Sequence, residues 1–337
     1  MAHISDKIRR FALLLLTLLA AAPVRADNWR LLFDGQSLAG WRVLGGQSKF
    51  EVQDGMIVGT SVPNAEHTFL ATESTYGDFI LEYEFLVDSD MNSGVQIRSH
   101  TDPAYQGGKV FGMQVEVDGE LRTPFWSGGV FDQTRRGWLA DLSRNEAARN
   151  AFKPDDWNHT RVAAIGDSVR TWINGVAAAD LVDSVDLEGF IALHVHENRS
   201  QTPHRVRFRN IRIQDLGESV WRRMRPGLQP TGDCTFRVSL RPSEWILFRG
   251  FRLMGTGVLH GFPTGAVIAR PSPQPGVKAM PSTGGVARWM TVSLHEGHLV
   301  VHSDGVRIID VRRPMRHEAK IVYNGRVELL VAAGGSR

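Results

Sequence analysis

The chain has 337 residues, of which 42% are hydrophobic and 22% charged, with a formal net charge of +3. That composition excludes a disordered or collagen-like chain and gives enough length for one large or two medium globular domains. Cys234 is the only cysteine, so no internal disulfide can form and the fold has to rest on a hydrophobic core.

At the N-terminus, Lys7-Ile8-Arg9-Arg10 precedes an apolar run from Phe11 to Ala22, and Val24-Arg25-Ala26 places small residues at the minus-three and minus-one sites of a cleavage point. This pattern predicts a secretory signal peptide over residues 1–26, cut before Asp27, and an exported protein, periplasmic or extracellular. The run is shorter than the about 18 apolar residues a spanning helix needs. No stable membrane span is expected after cleavage.

From Asp27 onward, short alternations of β-branched and aromatic residues are separated by Gly, Asn and Asp clusters. They run over Phe50 to Val52, Met56 to Gly59, Phe79 to Val87, Val95 to Arg98, Phe111 to Asp118, Thr160 to Ala164, Val169 to Ile173, Phe190 to Val195 and Val206 to Ile213. A period of two, with turn signals at this spacing, predicts an all-β sandwich. Leu139 to Ala151 (LADLSRNEAARNA) is the one stretch with helical character.

Charge divides the chain. Residues 27–218 carry 18 Lys and Arg against 28 Asp and Glu, whereas residues 219–337 carry 17 against 7. A boundary near Gly217 follows, giving a first domain over 27–217 and a smaller β-rich half over 218–337. The basic charges are scattered and lack aromatic interleaving, which excludes a nucleic-acid groove; they suit a solvated face, or contact with an anionic surface. The second half also echoes the first. "WNHTRV" with "WINGV" has a counterpart in "WMTVSL" with "HSDGV", and Gly325 to Arg337 can be laid over Gly189 to Gln201. In that overlay the second half is a degenerate sandwich that stops before an equivalent of Val206 to Ile213.

In a strand, successive side chains point to opposite faces. Glu82 and Glu84 therefore share a face opposite Leu81, Tyr83 and Phe85. In the same way Gln96 with Arg98, Gln114 with Glu116 and Asp118, and His194 with His196 oppose Val95, Ile97, Val115, Val117, Leu193 and Val195. Either this is an antiparallel sheet wet on one side, or a trough whose carboxylates, amides, Arg and His bind a saccharide and move protons. His194 and His196, with Glu116 as a third donor, are also the candidates for a divalent metal site. His67, His100 and His159 lie near turn signals, where surface positions are expected. Trp126, in the loop "RTPFWSGG", is the best candidate for stacking on a sugar ring.

"LLFDGQSLAGWRV", "NSGVQIR", "GMQVEVD", "WNHTRV…WINGV", "GFIALHVH" and "VRFRNIRIQDL" occur in this order, and together they resemble the 3-keto-disaccharide hydrolase domain family from about Trp29 to Leu216. The resemblance implies a concanavalin A-like jelly roll and 3-keto-glycosides as substrates. One departure is Leu86, where the family usually shows Arg after Glu-Phe. Cleavage of such a substrate calls for a base to remove the C2 hydrogen that the C3 ketone acidifies, an acid for the leaving oxygen, and a cation or donor for the enolate. The expected catalytic set is Glu84, Glu116, Asp118 and His196, with Asn92, Gln96, Arg98, Gln114, Trp126 and His194 binding substrate. A divalent ion is the one candidate cofactor, and it would polarise the ketone. A non-catalytic, lectin-like module is the alternative. The strand Gln114 to Asp118 also resembles the Glu-x-Asp-x-Glu strand of laminarinase-like enzymes, but its first carboxylate is here an amide.

Overall fold

The computed structural model describes residues 29–121, 126–223, 234–248, 251–261, 264, 267–269, 288–295, 298–303, 306–312, 322–324 and 328–332. The expected signal peptide lies outside them. So do residues 122–125 of the "RTPFWSGG" loop.

Within the described residues the strands form four antiparallel sheets. The first runs β13 (Val176–Val182), β12 (Ser168–Ile173), β11 (Asn158–Ile165), β6 (Asp78–Val87), β15 (Arg205–Gly217), β4 (Met56–Thr60), β3 (Lys49–Gln53), with β1 (Trp29–Leu31) also on β15. The second runs β10 (Gly137–Ala140), β9 (Val130–Gln133), β8 (Val110–Asp118), β7 (Asn92–Thr101), β14 (Gly189–Val195), β5 (Thr68–Tyr76), β2 (Trp41–Gly45). These two pack face to face. Leu81, Tyr83, Phe85, Phe208 and Ile213 of one meet Val95, Ile97, Val115, Val117, Leu193 and Val195 of the other in a single core. The molecule is thus an all-β, jelly-roll type sandwich whose inward residues are those the alternation predicts.

The helix is shorter than its sequence suggests. Gly137–Ala140 is taken up by β10, Asp141 turns the chain by accepting from the Ser143 backbone N–H at 2.9 Å, and only Glu146–Ala151 is helical (α1). The Asn145 side chain caps it by accepting from the Ala148 N–H, which satisfies one of the donors a helix start leaves open.

The second half builds two further sheets around its own core of Phe236, Val238, Ile246, Leu253, Val292 and Leu299. One runs β16 (Trp221–Arg223), β26 (Glu328–Ala332), β17 (Cys234–Leu240), β22 (Arg288–His295), β23 (His298–Ser303), β24 (Val306–Arg312). The other runs β21 (Val267–Ala269), β20 (Leu259–Gly261), β19 (Phe251–Met254), β18 (Trp245–Phe248), β25 (Val322–Tyr323). The order β24-β23-β22-β17 repeats β13-β12-β11-β6. Beyond that the overlay from sequence differs from the structure, because β26 pairs with β17 as β15 pairs with β6. It therefore takes the place of the strand expected to be missing, and does not overlay β14. Apolar runs of similar length on two sheets cannot be told apart without their pairing.

Candidate functional site

The polar face of the second sheet is neither wet nor open. Gln96, Gln114, Glu116, Asp118 and His194 are each no more than 4% exposed. Buried polar groups have to be hydrogen-bonded, and Gln96, Gln114, Glu116 and Asp118 belong to one hydrogen-bonded row, whereas His194 Nδ1 is buried without a partner among the described residues. Ser99 Oγ donates to Gln96 Oε1 (2.8 Å), Gln96 Nε2 to Gln114 Oε1 (2.8 Å) and Gln114 Nε2 to Glu116 Oε2 (2.9 Å). Asn92 Nδ2 closes the row by donating to Glu116 Oε1 and to Asp118 Oδ1 (2.8 Å). Asp118 Oδ2 takes the Trp126 backbone N–H at 3.3 Å.

Strand pairing creates this alignment. Asn92 lies opposite Asp118, Gly94 opposite Glu116 and Gln96 opposite Gln114, so cross-strand neighbours on one face are within reach. Gly94 is required for it: a Cβ there would sit 2.5 Å from Gln114 Cδ.

Asn92 is the member of the row that reaches an opening. It lines a cleft of about 370 Å³, together with His196, Glu197, Arg199, Asp90 and His204. Its amide nitrogen has two hydrogens and both carboxylates take one each, so Oδ1 is the acceptor left to present to a ligand. His196 Nδ1 bonds to the Glu197 carbonyl at 2.9 Å. A carbonyl only accepts, so Nδ1 carries the proton and a neutral ring has its lone pair on Nε2. Arg199 meets Glu197 at 2.8 Å and remains largely exposed.

Beside His196 lies a residue whose local sequence carries no functional signal. His67 Nδ1 bonds to His194 Nε2 at 3.0 Å, and its ring meets that of His196 edge-on at 4.5 Å. It is half-buried rather than the surface residue expected. Burial, with the His196 charge second, lowers the His67 pKa to about 4. His194, stacked on Phe69 at 4.6 Å, is held well below the ordinary histidine range by burial, then by His67 and His196. The register Phe69↔His194 brings the two strands together, and that pairing is invisible in the local text around His67.

The sequence-predicted site residues Arg98, Glu84, Gln96, Gln114 and Trp126 do not line this cleft. Arg98 is not on this face. A bulge between Ile97 and His100 and a φ of 45° at Arg98 turn its side chain away. Its guanidinium is fully buried, donating to the Gly77 carbonyl (2.9 Å), the Gly166 carbonyl (2.7 Å) and Asp78 (3.2 Å). Burial lowers its pKa to about 10, against the pull of Asp78, and it stays charged at neutral pH. Close approach at Gly189, where a Cβ would meet the Arg98 carbonyl carbon at 2.4 Å, fits the same bulge. Glu84 belongs to the first sheet and faces outward, bonded to Arg209 Nε at 2.6 Å. It is not brought together with Glu116. Leu86 likewise pairs with Arg207 on that sheet. Gln96 and Gln114 are enclosed links of the row with both amide ends engaged. Trp126 turns its ring edge-on to Trp138 at 4.8 Å and packs on the core.

Glu116, His194 and His196 do not converge as metal ligands. The Glu116 oxygens are engaged by Asn92 and Gln114, and His194 Nε2 by His67. Among the described residues no group of three His, Cys, Asp or Glu side chains is arranged to hold a metal ion.

Three solved structures are similar to part of this chain. A protein from Parabacteroides distasonis, described provisionally as a glycosyl hydrolase, is 20% identical over 56% of this chain and 94% of its own, with a TM-score of 0.41. A Bacillus subtilis protein of unknown function with a galectin-like fold is 14% identical over 56% and 94%, TM-score 0.43. A carbohydrate-binding module from Bacillus subtilis is 15% identical over 52% and 96%, TM-score 0.33. No curated protein matches the sequence. Residues 28–214, more than half of the chain and the whole of the first sandwich's sheets except the end of β15, match the 3-keto-alpha-glucoside-1,2-lyase-like domain, and the chain belongs to that family.

Proposed function

We propose that the first sandwich is an exported carbohydrate-active enzyme that cleaves 3-keto-glycosides by C2 proton abstraction, elimination and hydration. Family membership supports the substrate class. The observation that carries the reading is the cleft at the end of β7 and β14. There His196, its Nδ1 bonded to the Glu197 carbonyl and its Nε2 left as the second ring nitrogen, stands beside Asn92, whose amide is clamped by two carboxylates.

In this reading Asn92 Oδ1 accepts from a sugar hydroxyl and sets the ring's position. His196 Nε2 removes the C2 proton, which the C3 ketone acidifies, and the electron pair moves onto the C3 oxygen as an enolate. Arg199, the guanidinium at the cleft, takes the role expected of Arg98 and stabilises that charge. The enolate collapses, the C1–O bond breaks, and the leaving oxygen receives a proton from His196. Water then adds its oxygen to C1 and a proton returns to C2, giving net hydrolysis. Glu116 and Asp118 act by holding Asn92, so they are positioning residues. No step needs a metal.

One observation favours a second reading, a binding module without catalysis: both carboxylates are buried and engaged by amides, so neither is exposed as an acid. Exchange of the C2 hydrogen separates the two. Wild-type protein in deuterated water should exchange the C2 hydrogen of a 3-keto-glucoside, followed by NMR, and His196→Ala should slow this about 100-fold or more. Binding of the sugar without exchange would establish the module instead.

A further inference from the structure

A second site lies on the opposite sheet, where the two halves meet. In β12 and β13, Val169 and Leu181 enter the core, so Arg170 and its cross-strand partner Asp180 point outward. Strands β23 and β24 cover them with His298, His302, Arg307 and Asp310, leaving a cavity of about 910 Å³.

Part of this cluster is satisfied. Arg170 Nη2 donates to His298 Nδ1, which fixes the His298 proton on Nε2, where it bonds to Asp310 at 2.5 Å. Asp180 is different. Its side chain is 6% exposed and neither carboxylate oxygen accepts a hydrogen bond among the described residues. Arg170 Nε stands at 3.8 Å, Arg307 Nη1 at 3.9 Å and His302 Nε2 at 3.6 Å, all just beyond bonding reach. His302 Nδ1 is also buried without a partner. Acceptors and donors ringed around a gap of this kind call for a bridging group that both donates and accepts.

The charges select its class. Two guanidinium groups repel a cation, and the Asp180 and Asp310 carboxylates repel an anion. His302 is held below its ordinary pKa by burial, although Asp180 opposes this, so it adds no charge at neutral pH. A neutral polyol meets the requirement, since each hydroxyl donates to a carboxylate while accepting from Arg or His. The volume falls within the range of about 300–1,000 Å³ of small-molecule sites. We infer that the junction of the two halves is a second, non-catalytic binding site for a neutral oligosaccharide, centred on Asp180 and completed by His302 and Arg307.

The test uses the full chain and isothermal titration with cellotetraose, maltotetraose and laminaritetraose, and with tetragalacturonate as the anionic counterpart. At least one neutral tetrasaccharide should bind at millimolar concentration or below. Asp180→Asn, which keeps the side-chain volume, and Arg307→Met, at a partly exposed position, should each weaken it about tenfold or more. Asn92→Ala, at the other cleft, should leave this binding unchanged. The inference is overturned if none of the neutral sugars binds, if tetragalacturonate is preferred, if both junction variants bind as wild type, or if Asn92→Ala alone abolishes binding.

Discussion

His67 and His194 are neutral at physiological pH because burial disfavours their charged forms, and this has a consequence for stability. The unfolded chain binds protons near pH 6.5, the folded His67 only near 4. Between those values the unfolded state holds more protons, so stability rises with pH across the window and is lost as pH falls from about 6.5 toward 4. Thermal unfolding should show this acid loss, and His67→Gln should flatten it. An unchanged slope in that variant would remove His67 as its source. The residue-scale reading of the polar face was partly open to sequence: Gln96, Gln114, Glu116 and Asp118 do share one row, which Asn92 joins from the start of β7. What alternation could not show is that the row is enclosed and self-satisfied, because burial depends on what covers a sheet, not on the strand itself.

At the scale of the element, one bulge separates Arg98 from the face its position in the strand assigns to it. Periodicity assumes a regular ladder, and a one-residue irregularity inverts every assignment beyond it. The buried guanidinium then ties β7 to Gly77, Asp78 and Gly166 at the start of β6 and the turn before β12. Asp78 also accepts from the Gly166 N–H at 2.7 Å. Arg98→Met should leave Asp78 as a buried charge without its counter-ion and cost about 3–5 kcal/mol, read as a lower denaturation midpoint. A loss confined to activity, with stability intact, would return Arg98 to the substrate. Nine strands of the first sandwich were foreseeable from sequence, whereas their pairing, like that of β26 beside β17, was not, since pairing partners far apart in the chain leave no local mark.

For the whole molecule, the two halves have separate cores but share contacts at one face of the first sandwich. Arg237 pairs with Asp167, Trp221 lies against Gly166, and Arg170 bonds to His298. Residues 27–217 alone should therefore fold around their own core and keep turnover of a small substrate, while a lower melting temperature reports the exposed junction. A well-folded fragment without activity would place part of the active site in the second half. As proposed, the cleft at Asn92 and His196 cleaves sugars only when C3 is a ketone. The direct measurement is product release from 3-keto-glucosides beside their unoxidised parent glucosides. Release of the aglycone is expected from the keto substrates alone, abolished in His196→Ala. Equal cleavage of the parent glucosides, or full activity in His196→Ala, would contradict it.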